Sequence, residues 1–179
     1  CIRDRFDQIH EECGVFGIYS PESSPSVVGD TYMALYALQH RGQQSCGIAV
    51  NDDGVIRSYR DLGLVPDTFN KQVLSDLGSG RMAVGHVLYG ATNPERADAQ
   101  PLVVRHIKGS MALAFNGALV NAPELKEELE LKGAIFHSNS DAEVISHVII
   151  NERLHTNSIE EAIEKAMDKL KGAYSMVVM

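Results

Sequence analysis

His10–Ser20 reads HEECGVFGIYS. The polar HEE gives way at Cys13-Gly14 to a mostly apolar run ending at Tyr19, which reads as a strand. A thiol therefore stands where an exposed segment meets a rigid element, a place where a nucleophile is both held and reachable. The structural alternative is a small apolar side chain closing a strand end. Gly14 favours the first reading, because it admits close approach of a second backbone or a ligand. A thiol with an ordinary pKa of ~8.5 needs activation. The base is a histidine or, if Cys13 headed the chain, its own α-amino group, which titrates near ~7.7–8.

The chain downstream mixes helical and strand patterns. The expected order is a strand over Cys13–Tyr19, a loop at SPESSP and a helix over Val27–Gln39 stopped by Gly42. Cys46–Val50 and Val55–Arg60 read as a hairpin around NDDG, with Asp53-Gly54 as the positive-φ pair. A short helix over Pro66–Leu77 precedes strands at Arg81–Tyr89, Pro101–His106 and Met111–Phe115. NAPE at Asn121, SDAE at Ser140 and SIEE at Ser158 each read as a helix start with a capping residue and a glutamate three positions on. AYSMVVM is a last strand, and the chain is expected to continue beyond it. The order is not strict βαβ alternation, which favours α+β with antiparallel sheets covered by helices.

The 179 residues suit one domain, with 44% apolar and 22% charged residues. A net charge of −8 argues against nucleic acid or an anionic membrane as partner. No apolar run is long enough for a membrane span, and the polar start carries no secretory signal. Three widely spaced cysteines make no disulfide framework and point to the cytoplasm. The start at Cys1 instead of Met points to a processed or trimmed chain.

EECGVFGIY (Glu11–Tyr19), LQHRGQQSCGIAV (Leu38–Val50), FNGALVN (Phe115–Asn121) and SNSDAEVI (Ser138–Ile145) occur in that order. Together they resemble the glutaminase domain of the amidophosphoribosyltransferase family, whose members are class II, N-terminal-nucleophile glutamine amidotransferases. The resemblance covers Glu11–Met179. It implies a four-layer αββα sandwich with two mainly antiparallel sheets. It also implies that Cys13 is the mature N-terminus, that its thiolate attacks the glutamine side-chain amide, and that its amine serves as base and then acid. Residues 1–12 then read as a leader and 13–179 as the glutaminase domain. A chain that keeps the leader is expected to be a precursor with little activity, since a peptide-bonded nitrogen is no base. Cys1 lacks the glycine-led strand and is set aside as nucleophile.

Amide attack builds an oxyanion, which needs preorganised donors. Asn116-Gly117 alone reads as a turn; in its motif, the resemblance makes it the oxyanion hole. Asp141 matches the residue that binds the glutamine ammonium, and it also suits a helix first turn. Arg41 matches an arginine of the glutamine site and also suits a helix C-terminus; His40 reads as structural. The family further implies a C-terminal phosphoribosyltransferase domain, absent here, that binds phosphoribosyl pyrophosphate with Mg²⁺. With it the whole protein makes 5-phosphoribosylamine in purine synthesis, usually as a homo-oligomer. No cofactor or metal is implied within this domain.

One stretch departs from the pattern. The family reads Gly-His-Val-Arg-Tyr-x-Thr, and here GHVLYGA places Leu88 at the arginine and Ala91 at the threonine. That arginine holds the glutamine carboxylate as a fork, which leucine cannot do. Three readings stand: Arg96 or Arg105 substitutes, the protein depends on free ammonia, or the amide substrate differs. The rival class is a non-catalytic domain that uses the same fold for regulation or docking. Metal spacings such as CxxC or HExxH are absent. GSGRMA precedes a strand instead of following one, so it reads as a turn. No GxSxG supports a serine hydrolase.

Overall fold

The computed structural model describes residues 13–24, 26–90 and 95–179. The leader segment, Cys1 and Ala91 lie outside the described residues.

Strand β1 (Gly14–Ser24) leads into helix α1 (Ser26–Leu38), which tightens into a 3-10 turn at Gln39–Arg41. Strands β2 (Ser45–Asp52) and β3 (Val55–Leu62) follow, then α2 (Val65–Thr68), α3 (Lys71–Leu77) and β4 (Gly80–Leu88). The second half runs β5 (Leu102–His106), β6 (Gly109–Leu119), α4 (Ala122–Leu131), α5 (Asp141–Leu154), α6 (Ile159–Met167) and β7 (Gly172–Val178). Two antiparallel sheets form, in the orders β1-β4-β2-β3 and β5-β6-β7. Helix α1 packs on the first sheet, α4–α6 lie against the second, and β4 and β1 meet β6 between them. The result is the expected αββα sandwich.

Side-chain alternation sorts the layers. Cys46, Ile48, Val50 and Val87 face α1, while Met111, Leu113 and Phe115 face the helices of the other side. The alternate positions, Gly47, Ala49, Ala112 and Ala114, fall between the sheets, joined by Gly17, whose absent Cβ would strike Val177. Small residues let the sheets approach closely. By the same alternation Val84, His86, Leu88, Asn116 and Cys13 face this intersheet layer. The site is thus built where the two sheets open at one end.

Several local expectations change. β1 continues through SPESS to Ser24, pairing Ser24 with Gly80 across an irregularity after Tyr19, and Ser23 donates to Asp52 at 2.9 Å. The long-range partner overrides the loop composition. The Pro66–Leu77 helix is broken at Phe69-Asn70, because Asn70 is extended and its side chain caps α3 by accepting from Val73 N–H at 3.0 Å. Asn121 does not cap α4; its amide clasps the 169–171 segment, donating to Lys169 O and accepting from Lys171 N–H, both at 2.9 Å. Ser158 does cap α6. The hairpin turn is as expected, with Asp53 at φ 50° and Gly54 at φ 85°.

Candidate active site

Cys13 immediately precedes β1 and is tied to the residue just past β4. Tyr89 N–H donates to Cys13 Sγ at 3.3 Å, and the thiol lies 3.5 Å from the Tyr89 carbonyl. Arg41 Nε donates to the Cys13 carbonyl at 3.5 Å. The turn that carries Arg41 is braced by Gln39, whose side chain donates to Gly42 O and accepts from Val65 N–H at 2.6 Å. Gly42 is required there, since a Cβ would run into the Val87 carbonyl and Leu88 N. His40 stays structural, its Nδ1 donating to Ala37 O at 2.9 Å.

Facing Cys13 is the end of β6. Cys13, Tyr89, Gly90, Asn116, Gly117, Ala118, Val120 and Ala173 wall a cavity of about 480 Å³, within the ~300–1,000 Å³ range of small-molecule sites. Gly117 has φ 133°, and a Cβ there would strike Ala173 O and Tyr174 Cα. Only glycine fits, and it leaves this stretch of backbone exposed beside the Asn116 side chain. Asp141 opens α5 and accepts from Leu119 N–H at 2.8 Å, so it fixes β6 just beyond Gly117 without lining the cavity. Leu88 is 8% exposed and also lies off the cavity wall.

The possible substitutes for an arginine at that position are elsewhere. Arg96 pairs with Asp61 at 3.3 Å. Arg105 lines a separate cavity of about 370 Å³ with Arg60, Glu143 and His147.

Sequence reasoning missed the groups behind the site. His86 is fully buried, and its Nε2 donates to Phe115 O at 3.0 Å. Gln100, 4% exposed, accepts from Phe115 N–H at 2.7 Å. A histidine inside the apolar strand MAVGHVL was a readable signal for the first; nothing in the loop marks the second. In SDAE, Glu143 reaches back past Ser140 to His137 N–H and to the N–H and hydroxyl of Ser138, at 2.9, 2.7 and 2.8 Å. Cys46, in contrast to Cys13, is buried in the α1 face, where desolvation pushes its thiol up to about 11. Among the described residues no three His, Cys, Asp or Glu side chains group as a metal site. No helix of the described residues is long and apolar enough to cross a membrane.

Residues 91–179 match the glutamine amidotransferase domain family. The amidophosphoribosyltransferase of Methanocaldococcus jannaschii is 45% identical over 168 residues, covering 93% of this chain. This chain belongs with the N-terminal glutamine amidotransferase domains of the amidophosphoribosyltransferases. The amidotransferase domain superimposes on solved structures accordingly. Glutamine phosphoribosylpyrophosphate amidotransferase from Bacillus subtilis, complexed with ADP and GMP, gives a TM-score of 0.81 at 39% identity over 92% of this chain and 34% of that one. The structure of the allosteric regulatory enzyme of purine biosynthesis gives 0.83 at 39% identity, over 92% of this chain and 35% of that one. The domain therefore has the N-terminal-nucleophile hydrolase fold. It spans 35% of the length of the Methanocaldococcus relative.

Proposed function

We propose that this domain is the glutaminase half of an amidophosphoribosyltransferase, hydrolysing glutamine to glutamate and ammonia. The observation that carries the reading is one cavity walled by the Cys13 thiol on one side and Asn116-Gly117 on the other. A thiol nucleophile opposite preorganised donors is what acyl transfer from an amide needs.

In this mechanism the Cys13 α-amine, freed by removal of residues 1–12, takes the thiol proton. The thiolate adds to the glutamine side-chain carbonyl, and the oxyanion is met by the Asn116 amide and the Gly117 N–H. Collapse breaks the C–N bond, the amine returns its proton to the leaving nitrogen, and ammonia departs. Water then attacks the thioester, with the amine as base, and releases glutamate and the thiol. Asp141, set beside the cavity wall at Leu119 N–H, pairs with the substrate ammonium, and Arg41 brings a cation to the Cys13 carbonyl at 3.5 Å. With the leader attached the amine is an amide, so that form is an inactive precursor. On this reading the ammonia passes to a phosphoribosyltransferase part, where Mg²⁺ and phosphoribosyl pyrophosphate bind and 5-phosphoribosylamine is made for purine synthesis in the cytoplasm, by a homo-oligomer.

One observation favours a second reading, an ammonia-dependent or non-catalytic relative. Leu88 offers no charge to the glutamine carboxylate, Arg96 pairs with Asp61, and Arg105 lines a separate cavity.

Intact mass before and after a diazoketone analogue of glutamine, with peptide mapping, decides between them. Loss of residues 1–12 and one adduct on Cys13, absent in Cys13→Ala, supports the glutaminase. No adduct on a chain that begins at Cys13 supports the second reading, whereas a retained leader without an adduct calls for that trimmed chain to be measured.

A further inference from the structure

β5 ends its pairing with β6 at Leu102↔Leu113. Two residues further along β6, Phe115 has no strand partner on that side, yet both of its backbone groups are satisfied by buried side chains. Its N–H donates to Gln100 Oε1 at 2.7 Å and its carbonyl accepts from His86 Nε2 at 3.0 Å. The carbonyl of Phe115 and the N–H of Asn116 belong to one rigid peptide plane. Fixing that carbonyl fixes the backbone that carries Asn116.

The chemistry of the contact settles the tautomer. A carbonyl only accepts, so His86 Nε2 holds the proton and Nδ1 bears a lone pair. Nδ1 is buried and has no hydrogen-bond partner among the described residues. A histidine kept at such a cost is doing something that an apolar residue in the same strand would not. Burial holds its pKa down to about 4, so the ring is neutral and keeps one tautomer at working pH. Position completes the argument: His86 lies on β4 three residues before Tyr89, whose backbone holds the Cys13 thiol. One strand therefore anchors both the nucleophile and, across the intersheet layer, the donors that face it.

We propose that His86 and Gln100 are positioning residues that clamp Phe115 and thereby set the height of Asn116-Gly117 over Cys13, acting on the chemical step of amide hydrolysis and not on glutamine binding. This rests on the glutaminase reading.

The test uses the full-length protein, freed of residues 1–12 so that Cys13 is its N-terminus, with His86→Leu, His86→Gln and Gln100→Met. His86→Leu removes the donor; Gln supplies an amide N–H near the place of Nε2; Gln100→Met removes only the acceptor. Misplaced donors are expected to lower kcat about 10- to 100-fold in His86→Leu and Gln100→Met, with KM for glutamine within about twofold and most of kcat restored in His86→Gln. Alkylation of Cys13 by iodoacetamide, a displacement that forms no oxyanion, should keep the wild-type rate throughout. Amide hydrogen exchange over residues 113–119 should rise in the two donor- or acceptor-free variants. Wild-type kcat in either, a parallel loss of kcat and alkylation, or unchanged exchange overturns the proposal. If the wild-type chain freed of residues 1–12, so that Cys13 carries the α-amine, does not turn over glutamine, the glutaminase reading falls. In that case raised exchange confined to 113–119 still supports the clamp, and unchanged exchange overturns it.

Discussion

The Cys13 thiol is held by the backbone of Tyr89, accepting from its N–H at 3.3 Å and lying 3.5 Å from its carbonyl. The thiol is thus referenced directly to the backbone at the end of β4. Substitutions along β4 and at the facing end of β6 should therefore act on catalysis more than their distance from substrate suggests.

Gly117→Ala places a methyl against Ala173 O and Tyr174 Cα at a φ of 133° that alanine avoids. Backbone strain and overpacking together should cost about 2–4 kcal/mol. Urea unfolding measures it, and a loss below about 1 kcal/mol would mean that β6 and β7 part easily here.

The proposed function gives Asp141 a substrate duty beside its hydrogen bond to Leu119 N–H, and the two are separable. Asp141→Asn keeps an oxygen to accept from Leu119 N–H, so the melting temperature should change little while KM for glutamine rises about tenfold or more through loss of the charge. Asp141→Ala should lower stability as well, by about 1–2 kcal/mol. Equal KM in the wild type and Asp141→Asn would remove Asp141 from the substrate site.

Leu88→Arg tests how the carboxylate is held. By strand alternation Leu88 faces the intersheet layer, one residue before Tyr89, which lines the cavity with Cys13 and Asn116. A guanidinium there should lower KM for glutamine about tenfold or more, by the ~2–5 kcal/mol typical of a desolvated charge pair. An unchanged KM with a folded variant assigns the carboxylate to another cation, and Arg41→Gln is the next substitution to measure.

His86 makes stability pH-dependent. The unfolded imidazole binds a proton near pH 6.5, whereas burial delays this in the folded state to about 4. Between these values the unfolded chain holds more protons, so stability falls as pH drops through the window, by ~3 kcal/mol in all. His106, lowered by partial burial and by Arg153 and Lys108, has the same sign. Glu143 acts lower: burial raises its carboxyl, but the hydrogen bonds from His137 and Ser138 win and keep it below 4.5, so its contribution is lost under that pH. Unfolding midpoints from pH 8 to 4 should therefore slope below pH 6.5, and His86→Gln should remove most of the slope. A slope unchanged in that variant assigns it to other groups.

Residues whose chemistry is local were legible in the sequence. Cys13-Gly14 and the Asp53-Gly54 turn carry their reason within a few neighbours, Asn116-Gly117 carries its reason in the motif around it, and the structure brings Cys13 and Asn116-Gly117 to one cavity. What stayed hidden depends on distant partners. The extension of β1 through SPESS needs Gly80 of β4, Asn121 needs the 169–171 segment, and Gln100 needs an unpaired stretch of β6 that exists only because β5 stops at Leu102. The helix break at Asn70 was in principle readable, since Asn followed by Lys71-Gln72 is an ordinary helix start. The apolar spacing on either side concealed it.

The glycines and alanines between the sheets turn the layer into a spacer of fixed thickness. Cys13 hangs from one sheet and Asn116 from the other, so their separation is a dimension of the sandwich itself, written by Gly17, Gly47, Ala49, Ala112 and Ala114. A single methyl added to any of them changes a length at the far end of the molecule's seam. On the proposed function, the rate of amide hydrolysis then depends in part on how closely the two sheets are pressed together.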